Sequence, residues 1–160
     1  MSDKDNELIL DTTKGKVVIA MRPDLAPGHV ARIKELVRAG FYDGIVFHRV
    51  IDGFMAQTGC PEGTGTGGSG TKLKAEFNRE PHVRGTVSMA RAQNPDSGDS
   101  QFFICFDDAC SLDGQYTVWG KVMSGMENID KLKKGSNENN GTVIDPDRIL
   151  SMRISGDGED

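Results

Sequence analysis

The chain has 160 residues, 36% of them hydrophobic and 27% charged, which are the proportions of one soluble globular domain. A formal net charge of −5, without any block of basic residues, argues against binding to a nucleic-acid backbone. The apolar runs are too short to span a membrane.

The cysteines and the first residues bear on the compartment. Cys60, Cys105 and Cys110 form no C-x-x-C pair, so their spacing indicates neither a disulfide framework nor a zinc knuckle. The stretch 1–10 carries acidic residues where a secretory signal would carry basic ones. We therefore expect a cytoplasmic protein in a reducing compartment, with no membrane or nucleic-acid partner.

The first third of the chain predicts a hairpin and then a helix. Strand-like runs at 7–12 and 16–21 flank a short turn. Over 27–40 the apolar residues recur at helical spacing, and Gly40 provides a stop signal.

The remainder predicts mostly short strands. The strands fall at 45–51, 54–59, 85–90, 100–106, 116–122 and 148–154, with a long glycine-rich loop over 60–83 and a second helix over 125–135. About eight strands and two helices, without β-α-β alternation, indicate one domain over 1–160 that is mainly β. We expect a closed eight-stranded antiparallel β-barrel capped by two α-helices.

A phosphate cradle is the first site to consider. Gly65 and Gly70 have the glycine spacing of a P-loop, but Thr71-Lys72 inverts its last pair and no helix pattern follows. A flexible loop is the better interpretation.

Metal and nucleophile sites are equally weak. His29, His48 and His82 have no metal-binding spacing, Ser100 lies in no nucleophile elbow, and Cys105 lies within an apolar strand. We predict structural roles for these side chains and no metal.

A surface with polar groups is the stronger candidate. Period-two alternation in 100–106 puts Gln101 and Phe103 on one face, and Met55 and Gln57 share a face in the preceding strand. Arg49 adds a permanent cation to a stretch that otherwise looks buried, so either a carboxylate or a ligand should meet it. An exposed Phe103 ring beside the Gln101 amide would suggest a binding face, so an exposed ligand groove is one interpretation. The alternative is that loops cover both faces.

Five blocks of sequence resemble the cyclophilins, a family of peptidyl-prolyl cis-trans isomerases. They occur in family order and spacing over about 7–154, most like bacterial cytosolic members, and read "FYDGIVFHRVIDGFMAQTG", "GTGTGGSG", "GTVSMARA", "SQFFICF" and "LDGQYTVWGKVMSGMENIDKL". The resemblance implies a capped eight-stranded barrel with a groove on its outer face and no cofactor.

The resemblance also implies roles for single residues. Arg49 matches the family's essential arginine in "FHRV". The positions matching the family's substrate-binding residues are Phe54, Met55, Gln57, Ala90, Arg91, Ala92, Gln101, Phe103, Leu112 and Tyr116.

Two positions depart from many eukaryotic members. Ser111 stands where they have a tryptophan, and Tyr116 where they have a histidine; Trp119 lies further on, within a strand. Ser111 removes an indole donor and a large apolar face, so we expect weakened binding of cyclosporin, the family's macrocyclic inhibitor.

The expected function is isomerisation of X-Pro peptide bonds in proline-containing peptides and folding proteins, by a monomer. Two rivals remain: a module that binds proline peptides with little turnover, and a general chaperone acting through exposed apolar surface.

Overall fold

The computed structural model describes residues 4–65, 67–136 and 141–157. The strands in chain order are β1 Glu7–Thr12, β2 Gly15–Met21, β3 Arg49–Ile51, β4 Met55–Thr58, β5 Thr86–Met89, β6 Phe102–Cys105, β7 Val118–Ser124 and β8 Ile149–Ile154. The α-helices are α1 Pro27–Arg38 and α2 Met126–Asp130, and 3₁₀ turns occupy Lys4–Asn6 and Cys110–Leu112. No helix among the described residues is long and apolar enough to cross a membrane.

The strands form one curled antiparallel sheet. Across the described residues it has eight strands in the order β3-β4-β6-β5-β7-β2-β1-β8. The register shifts in three pairs, β1 with β8, β2 with β7 and β5 with β7. Such irregularities bend strands and increase their twist, which curls the sheet around its apolar face. The predicted mainly-β class with two helices is confirmed.

The inner face of the sheet carries the main core. Phe102 meets Trp119 edge-to-face with ring centroids 5.4 Å apart, and both side chains are fully buried. Trp119 thus lies within a strand, as predicted. Tyr42 packs on the same phenylalanine and donates its hydroxyl hydrogen to the backbone oxygen of Ser100 at 2.8 Å. Aromatic pairs at these separations add to the stability that burial provides.

Helix α1 closes against this core and confirms the predicted helix, ending two residues early. Proline suits its first position, where the missing N–H would have no partner. The Glu76 carboxylate accepts the backbone N–H groups of Gly28 and His29 at 3.0 and 2.8 Å and so caps the helix. Gly40 beyond the last turn has φ +72°, a left-handed conformation that glycine adopts without strain.

The second helix is shorter than predicted. The prediction of a helix over 125–135 is wrong beyond Asp130, where α2 ends. Leu132 is buried, which explains the apolar periodicity, but its N–H bonds to Ile129 at i−3, as in a tight turn. Gly135 instead donates its N–H to the Val50 oxygen at 2.8 Å.

The strand predicted over 45–51 is also shorter, because β3 covers only Arg49–Ile51. Residues 45–48 instead form backbone hydrogen bonds to residues 147–149, just before and at the start of β8, without a regular ladder. Phe47 N–H donates to Asp147 at 2.8 Å, and Val46 forms an isolated antiparallel bridge with Arg148.

Candidate active site

The outer face of the sheet carries a row of side chains that runs across four strands. The register pairs Arg49 with Gln57, Gln57 with Phe103, and Phe103 with Ser88. Directly paired residues in antiparallel strands project on the same face. A cation, an amide, an aromatic ring and a hydroxyl therefore lie side by side.

A second row, two residues along, makes this face apolar. Ile51 pairs with Met55, and Met55 with Cys105. Met55, Phe103 and Cys105 form a buried cluster separate from the main core. The predicted alternation is confirmed for Phe103, which faces away from that core. It is only 5% exposed, however, because Leu112 and Tyr116 pack over the cluster, so the expectation of an exposed ring is wrong.

A groove of about 190 Å³ opens between this cluster and the loops above it. Its lining combines apolar side chains with two guanidinium groups and an amide, the composition of many ligand sites. The lining residues are Arg49, Phe54, Met55, Gln57, Ala90, Arg91, Phe103, Leu112 and Tyr116. We call this cavity the groove.

A second cavity of about 220 Å³ adjoins the groove. The two cavities share Gln57, Ala90 and Arg91, and the remaining predicted residues, Ala92 and Gln101, line this second one. All eleven predicted site residues therefore line one or the other of two adjoining cavities.

The polar groups of the two cavities are linked by hydrogen bonds. Arg49 Nη1 donates to Gln57 Oε1 at 3.1 Å, and Gln57 Nε2 donates to Gln101 Oε1 at 2.9 Å. Gln101 Nε2 then donates to the backbone oxygens of Gly65 and Gly67 at 2.9 and 3.0 Å. Each amide is thus oriented by its neighbour, and the glycine-rich loop holds the end of the series.

Arg91 holds the wall that separates the two cavities. Its Nε and Nη2 donate to the Gln115 oxygen at 3.0 and 2.8 Å, and its Nη1 donates to Ala92 and Gln93 at 2.9 and 3.2 Å. The guanidinium carbon lies 4.7 Å from the centre of the Tyr116 ring, a cation–π distance. Arg91 therefore donates its hydrogen bonds to backbone oxygens and packs against Tyr116.

Electrostatics argue against a nucleophile in the groove. Burial raises the pKa of the Cys105 thiol to about 12, so this cysteine stays protonated. Burial, and then the charge of Arg49, lower the pKa of His48. His48 is nearly inaccessible to solvent, which agrees with a packing role.

The glycine-rich loop turns inward onto side chains. Asp99 accepts hydrogen bonds from the Ser69 N–H and hydroxyl at 2.7 and 2.6 Å, and from the Gly70 N–H at 3.1 Å. These donors of the loop are therefore engaged by a carboxylate of the protein itself. Burial would raise the pKa of Cys60, but N–H groups led by those of Gly67 and Gly65, at 3.2 and 3.3 Å, outweigh it and lower the pKa to about 7.

No group of three metal-ligating side chains occurs in the part of the chain that the structure describes. Two of the histidines pair instead with single carboxylates: His29 Nδ1 lies 2.6 Å from Glu76 and His82 Nδ1 lies 3.0 Å from Asp113. His82 stands directly behind the groove, stacked on Phe103. Sequence reasoning gave it no role at the site, because its carboxylate partner lies 31 positions away in a loop.

The comparisons with known proteins agree with this geometry. Residues 8–154 match the family described as cyclophilin type peptidyl-prolyl cis-trans isomerase/CLD. A probable peptidyl-prolyl cis-trans isomerase of Brucella suis is 55% identical over 168 aligned positions, covering 98% of this chain and 86% of the relative. Peptidyl-prolyl cis-trans isomerase B of Bacillus subtilis is 48% identical, covering 75% of this chain and 85% of the relative.

Solved structures show the same fold. The cyclophilin AquaCyp293 from Hirschia baltica superposes with a TM-score of 0.87 at 31% identity, covering 98% of this chain and 76% of that one. A cyclophilin type isomerase from Cryptosporidium parvum, crystallised in the presence of the dipeptide Ala-Pro, gives a TM-score of 0.85 at 28% identity, covering 92% and 98%. The chain therefore belongs to the cyclophilin-type peptidyl-prolyl cis-trans isomerase family.

Proposed function

We propose that the groove is the active site, where an X-Pro peptide bond of a substrate rotates between cis and trans. The observation that carries the proposal is Arg49, a permanent cation on the rim of an apolar groove, held by Gln57 at 3.1 Å. The relative crystallised with Ala-Pro supports a proline-containing ligand by similarity.

The chemistry needs no covalent intermediate. An amide resists rotation with a barrier of about 18–20 kcal/mol, because the nitrogen lone pair is delocalised into the carbonyl. In the twisted state the proline nitrogen recovers that lone pair and accepts hydrogen bonds. A catalyst has only to bind this twisted state better than either planar isomer.

Arg49 is suited to that task. Its guanidinium is always protonated and can donate to the prolyl nitrogen or to a neighbouring carbonyl oxygen of the twisted peptide. Because Gln57 and Gln101 already orient it, little reorganisation is needed when the peptide twists. A barrier lowered by about 7 kcal/mol corresponds to roughly 10⁵-fold acceleration.

The apolar walls would hold the proline ring while the rest of the peptide turns. Phe54, Met55, Phe103 and Leu112 line the groove and offer contacts without polar groups. Gln57 and the backbone around Ala90 to Ala92 would fix the flanking peptide, so that rotation is confined to one bond.

We also propose that 1–160 forms a single domain, whose sheet closes into a barrel through segment 45–48, and that it works as a cytoplasmic monomer without nucleic-acid or membrane partners. The bonds from 45–48 to 147–149 support the closure. The three free thiols fit a reducing compartment. Ser111, exposed beside Leu112, supports weakened binding of cyclosporin.

Replacing Arg49 by alanine tests the function. We expect catalysis of cis-to-trans conversion in a short Ala-Pro-Phe peptide to fall by about 10²–10³-fold, the loss seen when one preorganised donor is removed. The unfolding midpoint should change little, because the side chain is only partly buried. Arg38→Ala is the control, since that guanidinium is bonded to Asp157 at the surface.

Two outcomes would overturn the proposal. One is an isomerisation rate in Arg49→Ala equal to that of the wild type. The other is a wild-type protein that binds the peptide without accelerating conversion, which would make the chain a binding module. Equal suppression of aggregation for proline-free clients would favour a general chaperone.

A further inference from the structure

We propose that His82, which does not line the groove, is the positioning residue for three of its walls: Phe103, Leu112 and Tyr116. This inference rests on the proposed function of the groove. His82 is only 1% exposed, and both of its ring nitrogens, both of its backbone polar groups and its ring face are engaged. Every one of those contacts leads to a groove wall or to the segment that carries one.

The backbone and Nδ1 contacts clamp the turn that carries Leu112. Ala109 N–H donates to the His82 oxygen at 2.8 Å, at the start of the 3₁₀ turn. At its end, Asp113 Oδ1 accepts both the His82 backbone N–H at 2.7 Å and the ring Nδ1 at 3.0 Å. The turn is therefore fixed at both ends by one residue, and Leu112 lies between the two attachments.

The ring of His82 supports the two aromatic walls. It stacks on Phe103 with an interplanar angle of 18° and a centroid distance of 6.0 Å. It meets Tyr116 edge-to-face at 6.3 Å, and Phe103 meets Tyr116 in the same way at 5.7 Å. Three rings thus pack against one another, and the histidine is the member that faces away from the groove.

The hydrogen bonds define where the ring carries its proton. A carboxylate only accepts, so Nδ1 carries the hydrogen and donates to Asp113. The Ser88 hydroxyl donates to the Thr117 oxygen at 3.1 Å and lies 3.0 Å from Nε2, so the ring is linked to β5 as well as to the turn.

Loss of these contacts should loosen the groove rather than remove its chemistry. Arg49 is bonded to Gln57, which Gln101 orients in turn, and this series of hydrogen bonds does not include His82. A displaced Leu112 or Tyr116 would weaken the hold on proline. Peptide binding should suffer more than the rotation step, a division that distinguishes positioning from catalysis.

The experiment compares His82→Phe, His82→Gln and Asp113→Ala with the wild type. His82→Phe keeps a ring against Phe103 but loses the hydrogen bonds of the imidazole nitrogens, whereas His82→Gln loses the ring. In Asp113→Ala the His82 ring remains but the turn loses the attachment at its Asp113 end. We expect KM for an Ala-Pro-Phe peptide to rise about tenfold in each, the equivalent of one or two lost hydrogen bonds, with kcat changed less than threefold.

His29→Gln is the matched control. His29 is also 1% exposed, its Nδ1 lies 2.6 Å from Glu76, and the same carboxylate accepts its backbone N–H at 2.8 Å. Neither residue of this pair lines the groove. His29→Gln should therefore lose stability as His82→Gln does, while KM and kcat stay at wild-type values.

A second readout does not depend on activity. The methyl resonances of Leu112 should shift in Asp113→Ala and His82→Phe, because this side chain sits beside the aromatic rings, but not in His29→Gln. A wild-type KM and unshifted Leu112 methyls in Asp113→Ala would overturn the inference, even if the His82 variants fail to fold. If the wild type itself catalyses no isomerisation, the proposed function fails, and the methyl shifts alone decide whether His82 positions these walls.

Discussion

Two neighbouring residues of β6, Phe102 and Phe103, show how differently the two faces of the sheet are used. Phe102 points into the main core against Trp119 and Tyr42. Phe103 points to the outer face, where its row includes Gln57 and Arg49. Both rings are almost fully buried, so burial alone does not separate a core residue from a site residue. The chemistry of the neighbours on the same face does.

Replacing each of these two rings by alanine should give the largest effects on stability and on activity. Phe102→Ala should cost about 3–5 kcal/mol of unfolding free energy, because it leaves a closed cavity in the main core. Phe103→Ala should cost less, because the space it leaves opens to the groove and admits water, yet it should lose most peptide isomerisation. Urea unfolding and the peptide assay on both variants check this.

The different roles of the two faces would be refuted if the two variants behaved alike. Equal losses of stability with equal residual activity per folded molecule would mean that the outer cluster is simply a second core.

A fall in pH should have a smaller effect, which is a loss of stability caused by the buried histidines. Burial lowers the pKa of His29 and of His82, and in each pair the carboxylate opposes this shift without reversing it. A histidine with a lowered folded pKa stays neutral while the unfolded chain takes up a proton. Stability should therefore be level above about pH 7 and decrease as the pH falls from about 7 to 5.

Unfolding free energies measured between pH 8 and 5 check this slope, to which the buried His48 also contributes. His29→Gln and His82→Gln should each flatten the slope, because each variant removes one histidine that stays neutral in the folded protein. His29 lies in α1, and His82 lies behind the groove. A stability that increases toward pH 5 would contradict the assignment of neutral, buried histidines.

The smallest effect concerns the rim of the groove. Ser111 is exposed in the turn next to Leu112, so it offers a macrocycle neither an indole N–H nor a large apolar surface. We expect Ser111→Trp to tighten cyclosporin binding by about tenfold, the equivalent of one added contact of 1.4 kcal/mol, without changing peptide turnover. Calorimetry on both proteins measures this, and nanomolar binding by the unmodified chain would refute the prediction.

Much of this organisation was predictable from local pattern. The alternation in β6 assigned Phe102 and Phe103 to opposite faces, and the first and last strands were predicted almost to the residue. Family motifs identified all of the residues that line the groove. Period-two alternation and motif spacing are local properties, so one sequence suffices to read them.

The remainder depends on contacts between distant segments. His82 and Asp113 occupy loops without any periodic pattern, and only the fold brings them to 3.0 Å. The apolar run 45–48 looks like a strand, but irregular bonds to the chain before β8 take the place of a regular ladder. Leu132 keeps the apolar spacing of a helix although it lies beyond the end of α2, because a tight turn buries its side chain as well as a helix would.

The central claim is that Arg49 holds the twisted peptide more tightly than the planar one. NMR exchange on an Ala-Pro-Phe peptide with wild type, Arg49→Ala and Arg49→Lys measures the affinity and the rate of conversion in one sample. We predict that Arg49→Ala binds the peptide within about threefold of the wild type but converts it at least about a hundredfold more slowly, with Arg49→Lys intermediate. Affinity and rate falling together, by the same factor, would contradict the account.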